Sequence, residues 1–137
     1  MSRILCLDYG KKRIGMAISD ESEIIAMPLD VIQVKNQRQV ISDLQQVCAD
    51  KNVEKILVGM PFNMDGTKGE SAERVMLFVK QIVEQISLPI ELWDERLSSK
   101  SAERLLIESG VRRSRRKEVI DKLAAQIVLQ SYLDAKV

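Results

Sequence analysis

Apolar and polar positions alternate with a period of two at the start of the chain. In Arg3-Ile4-Leu5-Cys6-Leu7-Asp8, residues Ile4, Cys6 and Asp8 fall on one face and Leu5 and Leu7 on the other. This pattern predicts a strand buried on both sides that ends in a carboxylate. After the turn residues Tyr9-Gly10-Lys11-Lys12, the segment Arg13 to Ser19 alternates Ile14, Met16 and Ile18 against Gly15, Ala17 and Ser19, the second arm of a hairpin. Its small residues leave one face open to close approach by a helix, a metal-bound group or a substrate backbone. Ile24 to Val34 contains Pro28 and reads as a third strand at an edge, because proline cannot donate to a central ladder.

Helical spacing follows. Asn36 can cap a helix to about Lys51, with Val40, Ile41, Leu44, Val47 and Cys48 buried and Asn52 as a stop. The apolar run Glu54 to Met60, closed by Gly59 and Pro61, then predicts a parallel strand reached by a crossover. Phe62 to Glu70, with Asp65-Gly66 and Lys68, is a loop at a strand's C-terminal end, where open α/β sheets bind ligands. Thr67 and Glu70 have the spacing of a capping box before a helix carrying Val75, Phe78, Val79, Ile82, Val83 and Ile86. Ile90 to Trp93 is a further strand that delivers Asp94-Glu95-Arg96. Ser98 or Ser99 can cap a helix from Ala102 to Ser109, with Gly110 as its stop. The last helix runs from about Lys117 to Leu133, with Ile120, Leu123, Ala124, Ile127 and Val128 as its buried stripe and Asp121 beside it.

Composition narrows the chemistry. The length of 137 residues fits one α/β domain over residues 1–137. With 21 basic and 20 acidic residues the net charge is +1, so a basic surface must be local. Arg112, Arg113, Arg115, Arg116 and Lys117 form such a run, readable as a phosphate-binding arm or as a solvated linker. The absence of histidine removes Ser-His and Cys-His nucleophiles and His-ligated zinc. Cys6 and Cys48 lack CxxC spacing and read as reduced, packed thiols. The first apolar run is too short for a signal peptide or membrane span, so a cytoplasmic protein with no membrane partner is expected.

Asp8 after the first strand, Glu95 after the last and Asp121 on the final helix could meet at one edge of an α/β sheet. Like charges brought together raise at least one pKa unless a cation neutralises them. An all-oxygen site favours Mg²⁺ or Mn²⁺, and two such ions roughly 4 Å apart perform phosphoryl chemistry. In this reading Asp8, Glu95 and Asp121 bind metal, and Lys11, Arg13 and Arg96 contact substrate phosphates. Lys68 and the arginines 112, 113, 115 and 116 are further candidates for nucleic acid.

Asp8-x-Gly10-x-x-Arg13-Ile14-Gly15, Val58-Gly59-Met60-Pro61 with Asp65-Gly66-Thr67, Asp94-Glu95-Arg96-Leu97-Ser98, and Asp121-Lys122-x-Ala124-Ala125 occur in that order. Together they resemble the YqgF family, Holliday junction resolvase-like proteins described as candidate pre-16S rRNA nucleases. The resemblance implies a ribonuclease H-like fold, a five-stranded mixed sheet with three antiparallel then two parallel strands and helices on both faces. It also implies metal-dependent phosphodiester cleavage with catalytic acids at Asp8, Glu95 and Asp121, and a fourth acid for which Glu118 and Asp94 are equal candidates. The expected partner is nucleic acid, a ribosomal RNA precursor trimmed at its 5′ end or branched DNA, acted on by a monomer or homodimer. Cleavage of four-way DNA junctions is the alternative within this chemistry, and a non-catalytic RNA-binding ribosome-assembly factor is the alternative of another class. The Asp-x-Gly hairpin is also similar to that of actin-like kinases, but those close a nucleotide between two domains.

Overall fold

The computed structural model describes residues 3–63, 65–98 and 113–136, with side chains described as far as residue 96 and again from residue 123. The helix expected at 102–109, its stop at Gly110, and Arg112 lie outside the described residues.

Two-residue alternation makes the centre of the fold. β1 (Arg3–Asp8) pairs antiparallel with β2 (Arg13–Ser19), which pairs antiparallel with β3 (Ala26–Gln33). α1 (Gln37–Asp50) crosses over to β4 (Val53–Met60), parallel to β1, and α2 (Glu70–Gln85) to β5 (Ile90–Asp94), parallel to β4. A 3₁₀ turn at Glu95–Ser98 and α3 (Arg113–Ala135) follow. The sheet order β3-β2-β1-β4-β5 places β1 in the middle and Pro28 on an edge strand. This is the mixed sheet expected from the sequence.

Leu5, Leu7, Ile14, Ile56 and Val58 face α1 and α2, where Leu44, Phe78 and Ile82 complete a core of large side chains. Ile4, Cys6, Ala17 and Leu57 face α3, where Ala125, Val128, Leu129 and Tyr132 meet them. Both cysteines are buried free thiols. The small face of β2 is therefore taken by a helix. α3 is also pegged at both sides of the sheet. Gln126 Nε2 donates to the Ala26 carbonyl, while Gln130 accepts from the Ala26 N–H and donates to the Ile24 carbonyl. On the far side Lys55 Nζ donates to Tyr132 Oη at 2.6 Å, and Tyr132 Oη donates to Glu91.

Several boundaries differ from expectation. Asn36 caps α1 with a reciprocal bond from Gln39, and Asn52 takes φ 55° just past its end. The capping box at Thr67 and Glu70 does not form. Gly69 is the N-cap of α2 with no side-chain bond, because Thr67 Oγ1 donates instead to Asp65 at 2.6 Å. α3 begins at Arg113, four residues before the expected start, so part of the basic run is helical rather than a linker. Its buried stripe is Ala125, Val128, Leu129, Tyr132 and Leu133 along with Ile127, whereas Ala124, expected to be buried, is only partly so. No helix among the described residues is long and apolar enough to cross a membrane.

Candidate active site

The site grows from the C-terminal ends of β1, β4 and β5. Asp8 closes β1 on the face turned to α3, and its lateral neighbours in the sheet are both glycines. On one side Asp8 pairs with Gly15 of β2. On the other, the register Leu7–Val58 brings Gly59 of β4 alongside. The hairpin turn needs a glycine of its own, since a Cβ on Gly10 would stand 2.5 Å from the Arg13 carbonyl oxygen.

Gly59 is what lets the second acid arrive. β4 lies between β1 and β5, so Glu95, which follows β5, must cross β4 to reach Asp8. A Cβ on Gly59 would stand 2.6 Å from Glu95 Oε1 and 2.9 Å from its Cγ. Glu95 thus lies over a stretch of strand that carries no side chain. It donates a hydrogen bond to Asp8, and burial, the Asp8 charge, that bond and the Asp94 charge push its pKa up to about 8. Cys6, one step back on the same face, is fully buried, and burial followed by the charges of Asp8 and Glu95 holds its thiol protonated. Sequence reasoning took Gly59 only as the close of a strand. A glycine inside an apolar strand is the local signal, since it marks close approach by another group, while its place beside Asp8 follows only from the strand order.

Gly15 faces the helix. A Cβ there would lie 3.6 Å from Asp8 Cβ and 3.8 Å from Ala125 Cβ, so α3 seats a small residue beside the acid. Position 121 belongs to α3, one turn before Ala125 on the same helical row, while its side chain, like those of Glu118, Arg113, Arg115 and Arg116, lies outside what is described. Among the described residues no cluster of three metal-ligating side chains occurs. Asp8 and Glu95 supply carboxylate oxygens only, which fits a hard cation such as Mg²⁺ or Mn²⁺ better than zinc.

The remaining candidates divide. Lys11 and Arg13 are exposed in the hairpin turn and at the start of β2, next to Asp8 in the chain. Lys68 is exposed in the loop after β4. Arg96 is gripped by Asp94, with Nη2 donating to Oδ2 at 2.6 Å and Nε donating to both oxygens at 3.0 Å. It also donates to the Asn63 carbonyl at 3.4 Å and stands over the Phe62 ring. Arg96 therefore ties the loop to the segment that carries Glu95, and Asp94 holds Arg96 with both of its oxygens.

The family model described as RuvX, Holliday junction resolvase, matches residues 2–135. A protein of Syntrophomonas wolfei named "Putative pre-16S rRNA nuclease" is 48% identical over 132 residues, covering 96% of this chain and 94% of that protein. One of the same name from Desulforamulus reducens is 47% identical over 133 residues, covering 97% of each. Among solved structures, T. thermophilus RuvC in complex with a Holliday junction substrate superposes with TM-score 0.65 at 12% identity, over 99% of this chain and 96% of that one. The fowlpox virus Holliday junction resolvase gives TM-score 0.55 at 16% identity, over 97% and 99%. The fold is the ribonuclease H-like fold of these resolvases. By its sequence along nearly its whole length, the chain belongs to the RuvX family, also called YqgF, a family of nucleases.

Proposed function

We propose that the chain hydrolyses phosphodiester bonds with divalent cations held by Asp8, Glu95 and Asp121, and that it matures the 5′ end of pre-16S ribosomal RNA. The observation that carries this reading is the Asp8–Glu95 contact across Gly59, which brings together an acid that ends β1 and an acid that follows β5. Such a pair of carboxylates would be held together most readily by a divalent cation, which offsets their like charges. Mg²⁺ or Mn²⁺ bound there supplies Lewis acidity, activating water as the nucleophile and offsetting charge on the phosphate. The chain's own residues do the rest. Glu95 would release its proton to become a ligand, and Gly15 and Gly59 let Ala125 and Glu95 close in on either side of Asp8. Lys11 and Arg13 beside Asp8 hold the flanking phosphates, and Arg96 keeps the loop with Lys68 close to Glu95.

Names carried by relatives at 47–48% identity favour ribosomal RNA precursor as substrate. The family description favours branched DNA as the second reading. The test is to incubate wild type and Asp8→Asn with Mn²⁺ on an end-labelled rRNA precursor, a four-way junction and linear controls. Cleavage of the precursor at its 5′ side by wild type alone is expected. Cleavage of the junction alone would replace RNA by DNA, and equal products from wild type and variant would sink the metal-site reading. Binding without cleavage would make the chain an assembly factor. Exchanging Arg112, Arg113, Arg115 and Arg116 for Gln should flatten the log-log salt dependence of binding by roughly 0.7 to 0.9 per lost phosphate contact.

A further inference from the structure

Tyr9 follows Asp8 directly, and consecutive strand residues point to opposite faces. Asp8 turns to α3, whereas Tyr9 packs against the α1/α2 core and stacks on Phe78 of α2 with ring centroids 4.6 Å apart. This stacked pair forms one wall of an open crevice of about 220 Å³, completed by Ile14, Val34, Val40 and Ile41. Asn36, Gln37 and Gln81 bring carboxamides to it, and no charged side chain lines it. Among the described residues, Gln37 and Gln81 make no side-chain hydrogen bond. The crevice continues into a groove between α1 and α2 with which it shares Gln37 and Ile41.

We propose that this crevice is a base pocket, which receives one unpaired base of the strand whose phosphate lies at Asp8 and Glu95. The proposal rests on the nucleic-acid reading above and adds a second subsite to it. Four observations fix the occupant. The volume is below the roughly 300 Å³ at which pockets accept drug-sized ligands, so a single ring system fits and a whole cofactor does not. The lining is uncharged, with aliphatic side chains around the Tyr9–Phe78 pair, which suits a flat neutral heterocycle and not a phosphate. Carboxamides donate and accept at once, as the edge of a base requires. Finally, Lys11, Lys12 and Arg13 are exposed in the adjoining turn, where the backbone of a strand reaching from Asp8 to Tyr9 would pass. The end of β1 would thus be straddled, phosphate on one side and base on the other.

The test follows the methyl signals of Ile14, Val34, Val40 and Ile41 in the full chain, without divalent metal. Short single-stranded RNA is titrated in, then the same RNA with abasic positions. Shifts with the first and none with the second are expected. Val40→Phe, which fills the crevice, should weaken binding about tenfold, the scale of one lost base–aromatic stack. Gln81→Leu, which removes a carboxamide without filling it, should weaken binding less and in a base-dependent way. Methyls that do not move, or that move equally with abasic RNA, overturn the proposal, as does a peptide or small metabolite that shifts them when RNA does not. Shifts with no metal-dependent cleavage would leave the pocket standing and remove the nuclease, and cleavage with no shifts would do the reverse.

Discussion

The two faces of the central sheet are built on opposite principles, although β1 contributes to both. Toward α1 and α2 the strands present Leu5, Leu7, Ile14, Ile56 and Val58, all fully buried, and the face is stable because it is full. Toward α3 they present Ile4 and Leu57 further back, but Cys6, Ala17, Gly15 and Gly59 toward the acids, and this end of the face works because it is thin. Thinness lets the helix seat Ala125 beside Asp8 and lets Glu95 lie across β4. Bulk secures the fold on one face, and its removal from the other makes space for two acids to meet.

Substitutions on the two faces should therefore fail in opposite ways. Leu7→Ala deletes a wholly buried side chain and should cost about 2–5 kcal/mol in urea unfolding, with kcat of the folded fraction retained. Ala125→Leu adds bulk to the thin face. It should cost about 1–3 kcal/mol and also reduce cleavage, because α3 must lift from Gly15 and Asp8. If Ala125→Leu left cleavage intact, the thin face would not be what positions the acids.

The acid pair should also make stability fall with pH. Glu95 has its pKa raised from 4.5 to about 8 in the folded chain, so the folded state binds this proton more tightly than the unfolded one. The contribution is complete below about pH 4.5 and is lost as pH rises toward 8, with a slope of at most about 1.4 kcal/mol per pH unit. Asp20, Asp65, Asp94 and Glu91 are shifted downward by their hydrogen bonds, so their losses come on the acid side and outside this window. Thermal unfolding in a chelator between pH 5 and 8 should show the decline in wild type and not in Glu95→Gln.

A smaller contrast separates the two glycines. Gly59→Ala drives a methyl into Glu95 and should lower cleavage by about tenfold, about 1.4 kcal/mol in transition-state terms, with little change in unfolding. Gly15→Ala meets only ordinary contacts at 3.6 and 3.8 Å and should be mild in both assays. Equal effects at the two positions would contradict the role given to Gly59.

What the sequence made legible was whatever depends on local period. Alternation in β1 and β2 placed Asp8, Cys6 and Gly15 on their faces, and the Asn36 cap and the Pro28 edge follow from single-residue chemistry. Competition between neighbours was less legible. Thr67 had the spacing to cap α2 but found Asp65 nearer, and Arg96, offered to substrate by its charge, is held by Asp94 two residues away. The rest depended on tertiary register. Nothing local says that Gly59 lies beside Asp8 or that Glu95 must pass over it, because that follows from the strand order β1-β4-β5.

Asp8 and Glu95 are expected to form a cation site together, and Mn²⁺-induced broadening of backbone amide signals tests this without any substrate. At substoichiometric Mn²⁺ the signals around Asp8, Gly15, Gly59 and Glu95 should be lost selectively in wild type and survive in Asp8→Asn. Equal broadening in the two proteins, or broadening centred elsewhere on the chain, would contradict it.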